Sequence, residues 1–580
     1  MRRTALLTFL AAAIGVVGGA TAWLLLHLIG LVTNFALLHR FGWQVPSFAH
    51  HPPGLAVYPA ALIGAGLVTL LALWAPMIRG HGIPEAMEAV LEKESRISLR
   101  AAIVKPLSAA IAIGTGGPFG AEGPIIVTGG AIGSLLGQAL GLSASERKIL
   151  LSCGAAAGMA ATFGAPLASV VLAVELLLFE FSMRSLVPLL ASTAIAAGMH
   201  RALIGHGAVF TAPQHSGTGL GSLPGFAVLG VVCGLLATVI CSGLFRIEGG
   251  FRRLPVHEAW HPLIGAACFA TIGLVVPRAL GVGYDVINDV LANRLATATL
   301  AALFAAKLVA WWIALASGTS GGTLAPILLI SGSFGALAGR AAQSWVPGWH
   351  VGPGTIALVA MAATFGAATR APLTAVVFAF ELTRDYDAML ALMLATAVAF
   401  LVAATLLEHG LMTEKLARRG LRVPSGYEPD VLRSTLVEQA MQASVVVIDS
   451  HATVGDALLI AGANGHAAYP VVDDSRRCVA IVGREELLAA AGNEAAALDT
   501  IAVHDVVTVA PGDTLLTALE RFVDEAVTHL PVVDADRRLL GICTRTDLLR
   551  IEARRLAAER RGSKQRRPRA DSDGSGDPLG

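Results

Sequence analysis

One carboxylate lies inside a glycine-rich stretch of an otherwise apolar sequence, Gly114-Thr-Gly-Gly-Pro-Phe-Gly-Ala-Glu-Gly-Pro124. Glycines let the backbone turn tightly and approach a ligand, and Pro124 suits the first position of a helix that continues through residues 125–137. The free N–H groups and the positive dipole end of such a helix attract anions. A carboxylate at mid-membrane costs about 2.5–3.5 kcal/mol on insertion scales. We therefore predict that Glu122 is a functional group on an anion pathway, in preference to a simple helix cap.

The composition indicates an integral membrane protein. The 580 residues have a mean hydropathy of +0.68, and 55% are hydrophobic while only 14% are charged. The net charge of +1 gives no indication of nucleic acid binding. The six cysteines include no CxxC pair, so we predict neither a metal site nor a disulfide framework.

Charges at the two ends of the apolar part predict its orientation. Arg2 and Arg3 precede an apolar run from Thr4 to about Ala36, which is too long for a signal peptide and predicts a first membrane helix. Basic residues also follow the last apolar run: Lys415, Arg418, Arg419 and Arg422. Because positive residues favour the cytoplasmic side, we expect both termini in the cytoplasm and the chain in the cytoplasmic membrane.

Apolar segments follow one another to about residue 407. The clearest are 55–73, 186–199, 225–244, 261–276, 296–315 and 389–407. Three others, 101–113, 125–140 and 325–338, are too short or too broken by glycine and proline to span a membrane straight. Short, broken segments in matching places of two halves indicate a transport site.

The apolar part is internally duplicated. Two stretches align in order and without gaps: Gly120-Ala-Glu-Gly-Pro on Gly322-Thr-Leu-Ala-Pro, and Ala165-Pro-Leu on Ala371-Pro-Leu, the latter leading to Glu175 and Glu381. We predict two inverted repeats, at about 1–205 and 222–410, with the site between them.

The composition changes after Arg422. Residues 423–433 read as a linker, and 434–490 and 500–553 as two soluble α/β repeats that share Tyr-Pro-Val-Val-Asp473 and Leu-Pro-Val-Val-Asp534. Residues 558–580 are rich in Arg, Ser, Asp, Gly and Pro, cannot bury a core and are expected to be disordered.

The duplicated membrane part, 1–422, resembles the CLC family of chloride channels and Cl⁻/H⁺ antiporters, and the tail resembles a pair of CBS domains. The resemblance rests on ordered motifs: Gly80-His-Gly-Ile-Pro84, Gly120-Ala-Glu-Gly-Pro124, Gly322-Thr-Leu-Ala-Pro326 and the two Ala-Pro-Leu segments. It implies an all-α polytopic bundle of broken helices in two inverted repeats, followed by an α/β CBS pair. It also implies a homodimer with a separate pathway for inorganic anions, chloride foremost, in each subunit, and a transport protein that is not an enzyme.

The resemblance also implies an anion site. Glu122 matches the family's gating glutamate, whose ionised carboxylate blocks an anion site and which swings away when protonated. Burial should favour the protonated form. Backbone groups of three loops would face the anion: Gly82 and Ile83, Ala121 and Gly123, and Thr323, Leu324 and Ala325. They supply partial charge without a full cation, which would bind too tightly for rapid turnover.

Two positions of the anion site depart from the family pattern. His81 replaces a small polar residue, often Ser, and its imidazole either donates a hydrogen bond to the anion or turns to the aqueous mouth. Met412 aligns with the family's tyrosine, whose hydroxyl also contacts the anion. These substitutions leave the preferred anion open.

The inner proton site departs as well. Antiporters of the family generally carry two acidic residues at 175–176, and this chain has Glu175-Leu176. We therefore expect a gated channel, with an antiporter that uses another inner proton route as the alternative and Glu180 as a candidate carrier. We interpret Glu175 and Glu381 as structural, and assign Lys105, Lys307 and Arg370 no role beyond attracting anions. A CBS-linked cation transporter is a distant alternative, because it would need clustered carboxylates.

Paired CBS domains resemble modules that bind adenine nucleotides. The family's hydroxyl and ribose-binding acid match Thr544 and Asp547 in the second repeat, whereas the first repeat has Gly483-Arg-Glu-Glu486. We expect at most one nucleotide site and no other cofactor. The alternative is a purely structural pair.

Overall fold

The computed structural model describes residues 2–551 and 553, except 76–77, 79, 208, 211–217, 346–349, 422–431 and 433–434. The chain divides into two compact units, Met1–Tyr427 and Glu428–Gly580. Arg422 and most of the 423–433 linker lie outside the described residues, as do the basic end beyond 553 and the 558–580 tail.

The first eight helices form one half of the membrane unit. They are α1 (Arg2–Leu38), α2 (Val57–Trp74), α3 (Ile83–Leu91), α4 (Leu99–Gly114), α5 (Glu122–Ala139), α6 (Ala144–Phe163), α7 (Pro166–Ala173) and α8 (Met183–Leu203). A single π-turn, Val174–Leu178, extends α7.

The next eight helices repeat this order. They are α9 (Leu223–Phe251), α10 (His261–Val275), α11 (Tyr284–Leu291), α12 (Thr297–Ala316), α13 (Leu324–Trp345), α14 (Pro353–Thr369), α15 (Pro372–Thr383) and α16 (Met389–Leu406), and a short α17 (Glu414–Ala417) follows. Equivalent pairs pack alike, since α1 contacts α8 as α9 contacts α16, and α5 contacts α6 as α13 contacts α14.

Local sequence explains where many of these helices begin. Proline stands in the first turn of α7, α14 and α15, where a missing N–H costs nothing. Ser143 and Glu146 form a capping box at the start of α6. Within the part of the chain that the structure describes, eight helices are long and apolar enough to cross a membrane.

Two helix predictions need correction. Helix α5 begins at Glu122, so Pro124 is its third residue and not its first; the third N–H also lacks an intrahelical partner, so proline is tolerated there. Helix α13 runs for 22 residues from Leu324 to Trp345 and is long enough to span, whereas the sequence suggested a short segment at 325–338.

The two halves are joined by reciprocal hydrogen bonds. The Glu175 carboxylate accepts from the N–H groups of Leu373 (3.2 Å) and Thr374 (2.9 Å) at the start of α15. The Glu381 carboxylate accepts from Leu167 (3.0 Å) and Ala168 (2.7 Å) at the start of α7.

Each carboxylate therefore satisfies otherwise unpaired amides at a helix start in the other half, where the helix dipole also favours negative charge. These contacts support the structural interpretation of both glutamates.

The second unit contains two small sheets. Strands β1 (Ile448–Asp449), β2 (Ala468–Val472) and β3 (Cys478–Gly483) lie in that order, with β1 parallel and β3 antiparallel to β2. Strands β4 (His529–Val533) and β5 (Leu539–Thr544) are antiparallel. Helices lie at Val437–Ala440, Val454–Asn464, Arg484–Ala489 and Leu515–Asp524, and a further helix covers residues 545–551 directly after β5. Each sheet packs on its own apolar cluster, one around Tyr469 and one around Phe522.

Candidate anion site

Three loops meet at the centre of the membrane unit, and we call them the first loop (80–83), the second loop (120–123) and the third loop (320–325). Gly120 and Gly322 donate to each other's carbonyl groups, with N···O distances of 3.2 and 2.8 Å. Gly80 pairs with Ser320. A methyl group added at Gly123 would lie 1.9 Å from the carbonyl oxygen of His81, so glycine is required there.

Each of these loops leads into a helix, because α3 begins at Ile83, α5 at Glu122 and α13 at Leu324. The backbone groups predicted to face an anion therefore lie at three helix starts, where the first N–H groups have no intrahelical partner. All of them are buried: Gly82, Ile83, Ala121, Gly123, Thr323, Leu324 and Ala325. One differs from the expectation, since the N–H of Gly82 already donates to Glu85 Oε2 at 2.6 Å.

The Glu122 side chain is 1% exposed and lies against the third loop. A methyl group at Gly322 would sit 2.6 Å from its Oε2. Oε2 has no hydrogen-bond partner among the described residues, while Oε1 accepts from the Tyr284 hydroxyl at 2.8 Å. The carboxylate thus sits where the start of α13 would attract an anion.

The His81 ring is 1% exposed, and neither ring nitrogen has a hydrogen-bond partner within the described ranges. The Ser320 hydroxyl, in the third loop, is also buried without one there. Buried polar groups are normally paired. The burial of His81 favours an interior role over one at the aqueous mouth.

Two buried lysines fix the loops from equivalent places. Lys105 Nζ, on α4, donates to the carbonyl groups of Ile78 (2.7 Å) and Gly80 (3.0 Å). We call residues 279–283 the fourth loop. Lys307 Nζ, on α12, donates to the carbonyl groups of Ala279 (3.0 Å) and Gly281 (2.7 Å) in this loop. The lysines hold the backbone in place, which the sequence did not predict.

Met412 is fully buried in the same apolar core as Ile83, Ala121 and Leu324. Its alignment with the family's tyrosine stays a prediction. Tyr284, which the sequence did not indicate, lies in the second half of the membrane unit and brings its hydroxyl to Glu122 in the first half.

Tyr284 could have been found from a repeat. Gly80-His-Gly-Ile83 and Gly281-Val-Gly-Tyr284 are spaced 201 residues apart, and Lys105 and Lys307 are spaced 202 apart. All four glycines have positive φ, between 61° and 111°. The fourth loop is therefore the counterpart of the first loop, and Tyr284 occupies the position of Ile83.

The position to which the family resemblance assigns an inner proton relay is occupied by a leucine. Leu176 is buried in the π-turn at 3% exposure, and the neighbouring Glu175 is engaged with α15. Glu180 is half-buried just beyond the turn.

In the second unit, Asp547 is 2% exposed and bonded within its own fold. Its Oδ2 accepts from the Thr544 N–H (3.0 Å) and hydroxyl (2.6 Å), and its Oδ1 pairs with Arg550 (3.0 Å). These contacts cap the helix that follows β5, so a ribose would have to displace them.

Comparison with known proteins places the chain among anion transport proteins. A family model described as "Voltage gated chloride channel" matches residues 60–404, and the CBS domain model matches 437–493 and 498–554. An H⁺/Cl⁻ exchange transporter, ClcA, of Vibrio vulnificus is 30% identical over 71% of this chain and 91% of the relative. A protein of Ralstonia nicotianae, provisionally named as a ClcB-like chloride channel, is 29% identical over 65% of this chain and 89% of its own length.

Solved structures of transport proteins resemble this chain as well. A slow cyanobacterial Cl⁻/H⁺ antiporter is 27% identical, with a TM-score of 0.63 over 72% of this chain and 98% of the other. A eukaryotic CLC transporter, 19% identical, shares the fold with a TM-score of 0.58 over 93% of this chain and 97% of the other.

Proposed function

Because the chain belongs to the voltage-gated chloride channel (CLC) family of anion transport proteins, we propose that it exchanges chloride for protons across the membrane. The sequence favoured a gated channel because of Leu176; the proposal adopts the alternative, an antiporter that uses another inner proton route. Relatives named as H⁺/Cl⁻ exchangers, and a structural neighbour titled a Cl⁻/H⁺ antiporter, support the change.

The observation that carries the proposal is the position of Glu122. Its carboxylate is buried against the start of α13, with Oε2 unpaired among the described residues. An ionised carboxylate there competes with chloride for the same partial charges. Protonation removes that competition and gives the side chain a proton to carry. One group that alternates between these two states links chloride movement to proton movement.

We further propose how the surrounding residues act. His81 and the amides at the starts of α3, α5 and α13 would bind chloride as hydrogen-bond donors, and Met412 would border the pathway. The chain would act as a homodimer in the cytoplasmic membrane with both termini in the cytoplasm. The CBS pair would regulate transport, with Thr544 and Asp547 available to an adenine nucleotide only after their capping contacts open.

A passive chloride channel is the second candidate function, and Leu176 favours it. An aliphatic side chain carries no proton, so an exchanger would need another inner route. Glu180 is the nearest acid beyond the π-turn and is the residue to test for that role.

The test uses purified protein in liposomes with a steep chloride gradient, read at once by chloride and pH electrodes. We expect the chloride gradient to drive protons uphill in the wild type. Glu122→Gln should keep chloride flux and abolish proton movement, since the amide cannot cycle a proton. Glu180→Gln tests the alternative inner route: normal coupling would exclude Glu180 as the inner carrier.

Two results would overturn the proposal. Chloride flux without uphill protons in the wild type would make the protein a channel. Failure of any anion to pass, with fluoride and nitrate also tried, would remove the assignment of the site itself.

A further inference from the structure

We infer that Tyr284 is a positioning residue that holds the Glu122 carboxylate in its seated position. The inference rests on the proposed gating role of Glu122. Tyr284 is the first residue of α11, in the opposite half of the membrane unit, and its hydroxyl donates to Glu122 Oε1 at 2.8 Å. Within the described residues, Oε2 has no partner, so this hydrogen bond is the side-chain contact that fixes the carboxylate.

The tyrosine ring is held on two sides by other aromatic rings. It meets Phe163 edge-on at 5.6 Å and Phe210 at 6.1 Å between ring centroids. Phe163 in turn packs edge-on against Phe378 at 5.0 Å. Edge-to-face pairs at these distances are favourable, so the direction of the hydroxyl is set before Glu122 arrives.

The backbone under the ring is also held. Lys307 donates to two carbonyl groups of the fourth loop, immediately before Tyr284. Gly283 has a φ of 82°, and a methyl group there would lie 3.2 Å from Leu329. The position of the tyrosine is therefore determined by a buried cation, a left-handed glycine and aromatic packing.

The hydroxyl is not needed for this framework. In the first half, the equivalent position after the same Gly-x-Gly turn is Ile83, which has no polar atom. A phenylalanine at 284 would keep both edge-to-face contacts. What tyrosine adds over phenylalanine is one hydrogen bond, and that bond goes to Glu122.

The hydrogen bond favours one state of the gate. A phenol donates more strongly to an ionised carboxylate than to a neutral acid, so Tyr284 stabilises Glu122 in its charged, seated form. In that form the carboxylate excludes chloride. Tyr284 thereby acts beside the buried Lys307 ammonium, which also faces Glu122, in setting the pH at which the gate is released. The proton comes from water, and the tyrosine keeps its own.

The test is Tyr284→Phe in full-length protein reconstituted in liposomes, with chloride flux measured from pH 4 to 9. A hydrogen bond to a charged group corresponds to about one to two pH units. We expect the midpoint of the pH profile to move upward by about that amount. The chloride concentration for half-maximal flux should fall several-fold, because the seated carboxylate competes less well.

Tyr58→Phe is the matched control. The Tyr58 hydroxyl pairs with Thr271 at 2.9 Å on another part of the membrane unit. Its removal should leave the pH midpoint unchanged. A monodisperse elution profile for each variant excludes misfolding.

A double-mutant cycle separates this inference from the proposed function. In a Glu122→Ala background, Tyr284→Phe should change neither the pH profile nor the chloride dependence. An unmoved midpoint in the single variant, or the same shift without Glu122, would overturn the inference. Absence of uphill proton movement in the wild type would instead overturn the exchanger proposal, and the pH profile of chloride flux would still test Tyr284.

Discussion

The two halves of the membrane unit share a framework and differ at the site. Lys105 and Lys307 each bind two carbonyl groups before a short helix, and Glu175 and Glu381 each cap a helix of the other half. The side chains that face the centre are not repeated. Three pairs differ: His81 and Val282, Ile83 and Tyr284, and Glu122 and Leu324.

The comparison of the halves distinguishes residues that stabilise the fold from residues that differ at the candidate anion site. Positions that agree between the halves bind backbone groups. They do so with two buried lysines and two half-buried glutamates, which would otherwise suggest transport roles. Positions that differ bring titratable or hydrogen-bonding groups to one place. An acidic or basic residue in a membrane segment is therefore informative only after its counterpart has been examined.

Substitution of the two buried lysines should have the largest effect on stability. Lys105→Met and Lys307→Met each leave two buried carbonyl groups unpaired, which costs about 1–3 kcal/mol apiece. We expect both variants to lose several degrees or more in thermal unfolding of the detergent-solubilised protein, and by similar amounts. A fully stable Lys307→Met beside an unstable Lys105→Met would show that the two are not equivalent.

The glutamate pair should have a smaller effect. Glu175→Gln and Glu381→Gln each keep one acceptor but lose the charge that favours a helix start, at about 1 kcal/mol. We expect equal, modest losses of stability and an unchanged ratio of proton to chloride flux. If Glu175→Gln alone abolished proton flux, Glu175 would be a relay and not a cap.

Substitution of His81 should give the smallest change, and it compares the two halves at one side chain. His81→Val installs the residue found at the equivalent position of the second half. Loss of one hydrogen bond predicts chloride binding about 3–10-fold weaker by calorimetry. Val282→Ala, the control in the other half, should bind as the wild type does. Unchanged affinity in His81→Val would place the imidazole away from the anion.

Much of the fold could be predicted from the sequence because hydropathy and repetition are strong signals. The CLC resemblance, the all-α membrane part and the α/β CBS pair are confirmed. The errors arose where local rules compete with tertiary contacts. Proline favours the first position of a helix, so the sequence predicts a helix that starts at Pro124. In the structure, Gly120 pairs with Gly322, and α5 starts two residues earlier, at Glu122.

The site was only partly accessible from sequence. Glu122 stood out because a carboxylate in an apolar segment is costly. Tyr284 did not, since a tyrosine in a membrane protein is unremarkable until its hydroxyl is seen to meet a particular oxygen. The fourth loop lacks the proline of the first, and its spacing of 201 differs from the 202 and 206 of the two aligned stretches. Leu176 favoured the gated channel over the antiporter, which the relatives support better. One missing acid excludes one proton route, but it does not exclude proton transport.

Glu175 and Glu381 each cap a helix of the other half, and this limits how the chain can be divided into fragments. Helix α7 depends on Glu381 and helix α15 on Glu175, so each half contains one helix start that is capped by the other half. Gly120 and Gly322 likewise complete each other. The membrane unit is in this sense a two-part complex carried on one gene. Cut between α8 and α9, it would yield fragments that mature only when synthesised together.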